Sequence, residues 1–368
     1  MGASSVERGS HATAVTGVQL LAPDGERRAD DRFAYTGDVA SIIELFRQMV
    51  LIRRIDVECF ALQRHGELAL WPPVLGQEAA QVGSAAALRP ADFVYPSYRE
   101  SSVGWLRGID VADLLAVWRG SSLGDWDVQR FRFAPTSIVI GSHTLHATGH
   151  ALGMTLKGET DAAVLTYFGD GATSQGDLME ALEFAVLDRV PVVFFCQNNQ
   201  YAISLRVDRQ SAVPIVQRAE GFGMPAVQVD GNDVLACQAV TEWALGRARA
   251  GEGPVFVEAL TYRMGPHTTS DDPTRYRDAA ELEYWRARDP IDRVRRYLES
   301  ADVDPATFAA IEAEAEQLGR SVRAACLAIP EPDLAEWFDK VYAEQTDELR
   351  AQQTEYVAWR QQYGGAAS

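Results

Sequence analysis

Two continuous apolar runs, Ala162–Phe168 (AAVLTYF) and Val190–Cys196 (VPVVFFC), bracket a helical stretch at Leu178–Leu187. Neither run alternates apolar with polar residues, so each reads as a strand buried on both faces, which requires a parallel sheet with helices above and below it. Strand, helix, strand is a βαβ unit. Its right-handed crossover makes the strands parallel and brings the loops after both to one edge of the sheet, where α/β proteins bind ligands. Ala226–Val229 and Val255–Ala259 read as further short strands around a helix at Val234–Arg249. The predicted fold is therefore α/β, a largely parallel sheet covered by helices, with a helical C-terminal extension.

The flanking sequence suits this plan. Apolar residues at helical spacing predict a helix over Asp38–Leu62 with Asp38 as its cap, and others at Gln77–Leu88 and Val111–Trp118. DFVYPS (Asp92–Ser97) reads as a short strand broken by Pro96, and Ser137–Gly153 as a strand or loop feeding a closely packed helix. Residues 1–35 read as a mobile tail with one pinned segment, Val18–Ala22; residues 36–290 form the sheet domain; residues 291–368 are helical, with helices at Pro305–Leu327 and Asp333–Tyr363.

Composition excludes several classes. A chain of 368 residues with 47% hydrophobic content can bury one large core. No apolar run approaches the roughly 20 residues of a membrane span, and the N-terminus lacks a secretory pattern, so a cytoplasmic protein is expected. Cys59, Cys196, Cys237 and Cys326 are too scattered for a zinc site or disulfide framework, and reduced buried thiols are expected. The net charge of −18 makes nucleic acid an unlikely partner, while leaving room for a local basic pocket that binds a small anion.

The chemistry concentrates in Thr166–Asp177, TYFGDGATSQGD. Asp170, directly after the first strand, is expected to be an exposed carboxylate; Asn198 and Asn199 follow the second strand. A carboxylate, an amide oxygen and a nearby backbone carbonyl converging at about 2.1 Å make half an octahedral magnesium shell, with phosphate oxygens and water completing it. Gly169 and Gly171 let the backbone approach a bulky anion, and the N–H groups at the start of the following helix favour a diphosphate. No Gly-Lys-Ser/Thr follows, so this is not a P-loop, and a third glycine at 176 rather than 174 is not the dinucleotide fingerprint. A Gly-Asp-Gly by itself is most often only a turn.

The whole segment from Gly169 to Asn199, GDGATSQGDLMEALEFAVLDRVPVVFFCQNN, resembles the motif of thiamine diphosphate enzymes. With LGQEAAQVGSAAAL, VYPSYRE, QNNQYAIS, VDGNDV and TYRMGPHTTSDDPTRYR, the chain over roughly residues 36 to 345 resembles the alpha subunit of the 2-oxo acid dehydrogenase decarboxylase component, closer to its branched-chain members. The resemblance implies the thiamine diphosphate-binding fold, with Mg2+ held by the side chains of Asp170 and Asn199 and the backbone carbonyl of Tyr201. It implies that Gly171 and Ala172 cradle the diphosphate, that Tyr98 and Arg99 contact it, and that Gly141, Ser142 and Thr144 support the bent cofactor. His267 becomes the catalytic histidine beside the reactive carbon, with Arg263 nearby. An Arg99–Glu100 surface ion pair is the plainer alternative for Arg99.

Several positions depart from the family. Ser142 stands where a bulkier apolar residue is common, with Leu145 as a substitute; Thr268 stands where mitochondrial relatives carry a regulatory phosphoserine; Pro72 stands where pyruvate-type members carry a histidine, and Gln197 where an arginine often precedes the asparagine pair. His143, His146 and His150 receive no role. The resemblance further implies a beta subunit that supplies the activating glutamate, an assembly of two alpha and two beta chains, a lipoyl-bearing acyltransferase core and a small 2-oxo acid substrate. Leu334, Trp337, Phe338 and Val341 are placed to pack either on that partner or on the parent domain. A pyruvate or acetoin dehydrogenase alpha subunit and a noncatalytic magnesium-diphosphate module remain the alternatives.

Overall fold

The computed structural model describes residues 17–363. Seven strands form: β1 (Phe93–Tyr95), β2 (Val164–Gly169), β3 (Val192–Asn198), β4 (Tyr201–Ala202), β5 (Leu205–Arg206), β6 (Ala226–Asp230) and β7 (Val255–Leu260). Five of them make one sheet in the order β1-β2-β3-β7-β6, every pair parallel, while β4 and β5 form a small antiparallel hairpin. The α/β expectation holds.

The strands alternate between two cores, which explains their unbroken apolar sequences. Leu165, Tyr167, Val193, Phe195 and Val257 pack towards the helices Val39–Arg64, Glu78–Ala86 and Val234–Arg249. Val164, Phe168, Val192, Phe194 and Phe256 face the helices Ser142–Lys157 and Gly176–Leu187. A sheet clad on both faces has no polar side to show in its strands.

Asp38 caps its helix as expected, accepting from the Ser41 N–H at 2.8 Å. Asp233 does more than cap. Its Oδ1 accepts from the N–H groups of Leu235 and Ala236 at 3.0 and 3.1 Å, and its Oδ2 from those of Leu20 and Leu21 at 2.7 and 2.6 Å. One buried carboxylate thus starts a helix and holds the N-terminal segment, whose Val18 pairs with Val229 of β6. Residues 1–16 of the expected mobile tail lie outside the described residues; residues 17–22 are built into the sheet domain.

Packing is continuous across residue 290: Ile291, Val294, Leu298, Phe308 and Ile311 share a cluster with Phe46 and the sheet. The helix expected over Asp333–Tyr363 is instead a 3-10 turn, Leu334–Lys340, and a separate helix, Asp347–Tyr363. The intervening bend folds the two back on each other, with Phe338 and Tyr356 ring centroids 5.7 Å apart. Leu334 and Val341 stay exposed. All four cysteines are buried and free, and no helix among the described residues is long and apolar enough to cross a membrane.

Candidate active site

The loops after β1, β2, β3 and β7 converge on one cavity of about 410 Å³. Tyr98 and Arg99 come from the first, Asp170, Gly171 and Ala172 from the second, Asn199 and Tyr201 from the third, and Arg263 and His267 from the fourth. Parallel strands deliver all four loops to the same edge, so residues 168 positions apart in sequence become neighbours without any long excursion of the chain.

The carboxylate of Asp170 is not exposed as the sequence suggested. It is 1% exposed, and burial pushes its pKa up to about 6 against the hydrogen bond from Gln210 and the charge of Arg263. The reason is architectural: the carboxylate lies on the cavity floor, roofed by the β4–β5 hairpin. That hairpin also explains Gly171, where a Cβ would come within 2.9 Å of the Ala202 Cβ. Gly169 differs, for a Cβ there would meet nothing nearer than the Gln197 carbonyl at 4.0 Å, so this glycine leaves open space beside the cavity. The backbone beyond Gly169 winds as a 3-10 turn, Asp170–Ser174, before the helix starts at Gly176. The N–H groups nearest the motif therefore belong to that turn, whose first residues have no carbonyl within it to bond.

Asn198 and Asn199 divide their work. Asn198 ends β3 and donates to Glu258 at 2.7 Å, a structural contact, whereas Asn199 lines the cavity. The Asn199 Oδ1 accepts from the Tyr201 N–H at 3.3 Å and its Nδ2 donates to Gln77 Oε1 at 3.1 Å. The Tyr201 carbonyl accepts from Arg263 Nη1 at 3.0 Å, leaving one of its two lone pairs.

Arg99 does not form the surface pair with its neighbour. Glu100 is buried and turns to Ser97 and Gln197, while Arg99 Nη1 donates to the Pro73 carbonyl at 2.6 Å and Nη2 to the His267 carbonyl at 3.0 Å. His267 Nδ1 lies 3.4 Å from Arg99 Nη2 and 3.3 Å from Arg263 Nη1, two groups that can only donate. Nδ1 is thus the acceptor and the ring proton sits on Nε2. Burial, then the charges of Arg99 and Arg263, lower the imidazole pKa to about 3. At neutral pH His267 is an uncharged hydrogen-bond donor.

The loop after His267 is ordered by Asp271, whose Oδ2 accepts from the His267 N–H at 2.7 Å and from the Tyr276 hydroxyl, which itself accepts from Arg263 at 2.9 Å. Burial opposes the charge of Asp271, but these hydrogen bonds hold its carboxyl below the ordinary range.

The loop around Gly141 is held largely by its own hydroxyls. Gly141 lines the cavity and needs its freedom, with φ at +85°, but Ser142 donates to the Val139 carbonyl at 2.9 Å and Thr144 to the Gly141 carbonyl at 2.6 Å. Both hydroxyls bind their own loop. Leu145 packs on the core below, and the apolar side chains of this loop that line the cavity are Ile138 and Ile140. His143, given no role from sequence, is buried on the cavity wall with Nε2 2.6 Å from the Tyr167 carbonyl, and the wall also includes Leu70 and Trp118, whose loop and helical contexts carry no catalytic signal.

The site is a cavity at the strand ends of a parallel α/β sheet, where proteins of this class bind their ligands, and glycines, oxygen donors, two arginines and an imidazole face it. The dehydrogenase E1 component family matches residues 47–327. A 3-methyl-2-oxobutanoate dehydrogenase subunit alpha of Mycobacterium tuberculosis is 46% identical over 343 residues, 93% of each chain. Pyruvate dehydrogenase E1 component alpha subunits of Acholeplasma laidlawii and Bacillus cereus are 36% identical over 323 residues (86% of this chain, 92% of that one) and 42% identical over 259 residues (70% of each). The chain belongs to the dehydrogenase E1 component family and is the alpha subunit of a thiamine diphosphate-dependent 2-oxo acid dehydrogenase, a class that works with a beta subunit inside a multienzyme complex.

Proposed function

We propose that this alpha subunit serves oxidative decarboxylation of branched 2-oxo acids such as 3-methyl-2-oxobutanoate, with acyl transfer to a lipoyl carrier, in a cytoplasmic assembly of two alpha and two beta chains. The observation that carries the reading is the near full-length match to the mycobacterial subunit, supported by the apolar side of the cavity: Leu70, Pro72, Trp118, Ile138 and Ile140. That wall suits a branched aliphatic chain, and Pro72 offers no hydrogen bond to a small polar substrate.

The residues fit the cofactor. Gly169 leaves room for a diphosphate, Gly171 and Ala172 would present N–H groups to it, and Arg99 and Tyr98 border the same space. Asp170, Asn199 and the Tyr201 carbonyl are oxygen donors of the kind Mg2+ takes, with positions left for diphosphate and water. Gly141 would support the cofactor's bend together with Ile140; Ser142 and Thr144 would hold that loop in shape. Thiamine diphosphate, when bound, supplies the carbon nucleophile for the 2-oxo group and accepts the electron pair left by departing carbon dioxide. His267, fixed with its proton on Nε2, would donate a hydrogen bond to substrate oxygen, and burial together with the flanking arginines keeps it neutral. Arg263 holds the Tyr201 carbonyl and His267 at once.

The test is mass spectrometry of a lipoylated carrier domain incubated with the alpha–beta complex, thiamine diphosphate, Mg2+ and each acid. An isobutyryl adduct from 3-methyl-2-oxobutanoate, lost with EDTA, is the expected result; an acetyl adduct from pyruvate as the dominant product would assign the chain to the pyruvate branch.

A further inference from the structure

The Asp170 carboxylate is held from outside the motif. Gln210 Nε2 donates to Asp170 Oδ2 at 2.8 Å and to the Leu205 carbonyl at 3.0 Å. Both partners are acceptors, and the carbonyl can be nothing else, so the amide must present its NH2 to both. Gln210 closes the 3-10 turn Val207–Arg209 that follows the β4–β5 hairpin, its N–H donating to the Val207 carbonyl at 3.0 Å. The hairpin is thereby tied down on the Asp170 carboxylate.

Asn199 is held in the same manner. The Tyr201 N–H, which can only donate, fixes the Asn199 oxygen, so the Asn199 NH2 must face Gln77, whose Oε1 receives it. Each side chain read as a cation ligand therefore has one end turned by a glutamine amide. Gln77 is fully buried and reaches Asn199 from the start of the helix Glu78–Ala86, 122 positions away.

We propose that Gln210 is a positioning residue for the cation. By engaging Oδ2 it fixes the rotation of the Asp170 carboxylate, and Oδ1 is the oxygen it leaves to a divalent ion. Gln77 does the same for the amide of Asn199. The inference rests on the reading of Asp170 and Asn199 as cation ligands. Outer partners of this kind change metal affinity by roughly 10- to 100-fold when removed, because the ligand must then be ordered by the ion itself.

The experiment is equilibrium binding of Mn2+ to the assembled alpha–beta complex with thiamine diphosphate, followed by the free-ion electron paramagnetic resonance signal. Gln210→Met keeps volume and removes the donor; Gln210→Ala removes both, and thermal melting checks that each variant is folded. The half-saturating Mn2+ concentration is expected to rise by about tenfold in both variants. A merely structural contact would lower the melting temperature and leave that concentration where it was. Unchanged binding overturns the inference while the ligand reading stands, and tighter binding overturns it by showing that Gln210 competes with the ion. Absence of Mn2+ binding in the parent complex overturns both.

Discussion

Arg99 and His267, 168 positions apart, meet at two points: Arg99 Nη2 donates to the His267 carbonyl at 3.0 Å and lies 3.4 Å from its Nδ1. The contact fixes the backbone and the ring of the histidine together, and its charge helps keep the imidazole neutral. An arginine in the loop after β1 thereby adds to the burial that lowers the pKa of a residue beyond β7.

Replacing Arg99 with Met is expected to lower kcat/KM by about 10- to 100-fold, the scale of a lost charged hydrogen bond of roughly 1.5–3 kcal/mol. Thiamine diphosphate affinity should fall as well, and Arg99→Lys should not restore either, since one ammonium cannot reach Pro73 and His267 together. Steady-state kinetics and cofactor titration of the complex check this. Full activity in Arg99→Met would refute the role.

The pH behaviour of His267 has a definite sign. Its folded pKa of about 3 lies below the ordinary 6.5, so between those values the unfolded chain binds more protons than the folded one. The associated stability is complete above pH 6.5 and is lost as pH falls towards 3. Urea unfolding should show that His267→Gln loses less stability than the parent when pH is lowered from about 7 to about 5. An NMR signal of His267 titrating near its ordinary value would contradict the burial and charge argument.

Gly171→Ala is expected to destabilise the chain by about 1–3 kcal/mol, the usual cost of forcing a methyl group into a packed contact. The clash is with Ala202 alone at the closest range, 2.9 Å, so adding Ala202→Gly should recover most of the loss. Thermal melts of the two single variants and the double variant measure the coupling. Additive losses would show that the hairpin is not what demands glycine there.

Leu70 lies on the apolar wall, and Leu70→Phe should narrow the acyl space. The expected result is a fall in the preference for 3-methyl-2-oxobutanoate over pyruvate by about tenfold, since a crowded or missing methylene is worth roughly 1–3 kcal/mol. Equal losses for both acids would place Leu70 outside the acyl pocket.

The sequence revealed the parallel sheet because β2 and β3 are buried on both faces and their apolar runs have no other explanation. It placed Asp170 and the Asn198–Asn199 pair at the ligand edge because they directly follow such strands, while only the family resemblance singled out Asn199, the one of the two that lines the cavity. It did not reveal that Asp170 is buried, since the hairpin that roofs it consists of two-residue strands with no periodicity to read. Gln210 was illegible for a related reason: a glutamine in a polar turn carries no signal until the fold sets it against a carboxylate. The resemblance points to Ser142 and Thr144 as cofactor contacts, but hydroxyls in the first turn of a helix readily bond nearby backbone carbonyls, as both do here. The break at residues 341–346 brings Phe338 back against Tyr356, a tertiary contact that local sequence pattern does not encode.

Carbon dioxide release from the complex of this chain with its beta subunit, given thiamine diphosphate and Mg2+, tests the account most directly when 3-methyl-2-oxobutanoate, 4-methyl-2-oxopentanoate and pyruvate are compared by kcat/KM. The expected result is release from all three with the two branched acids ahead of pyruvate. Release from none, with cofactor demonstrably bound, would contradict it.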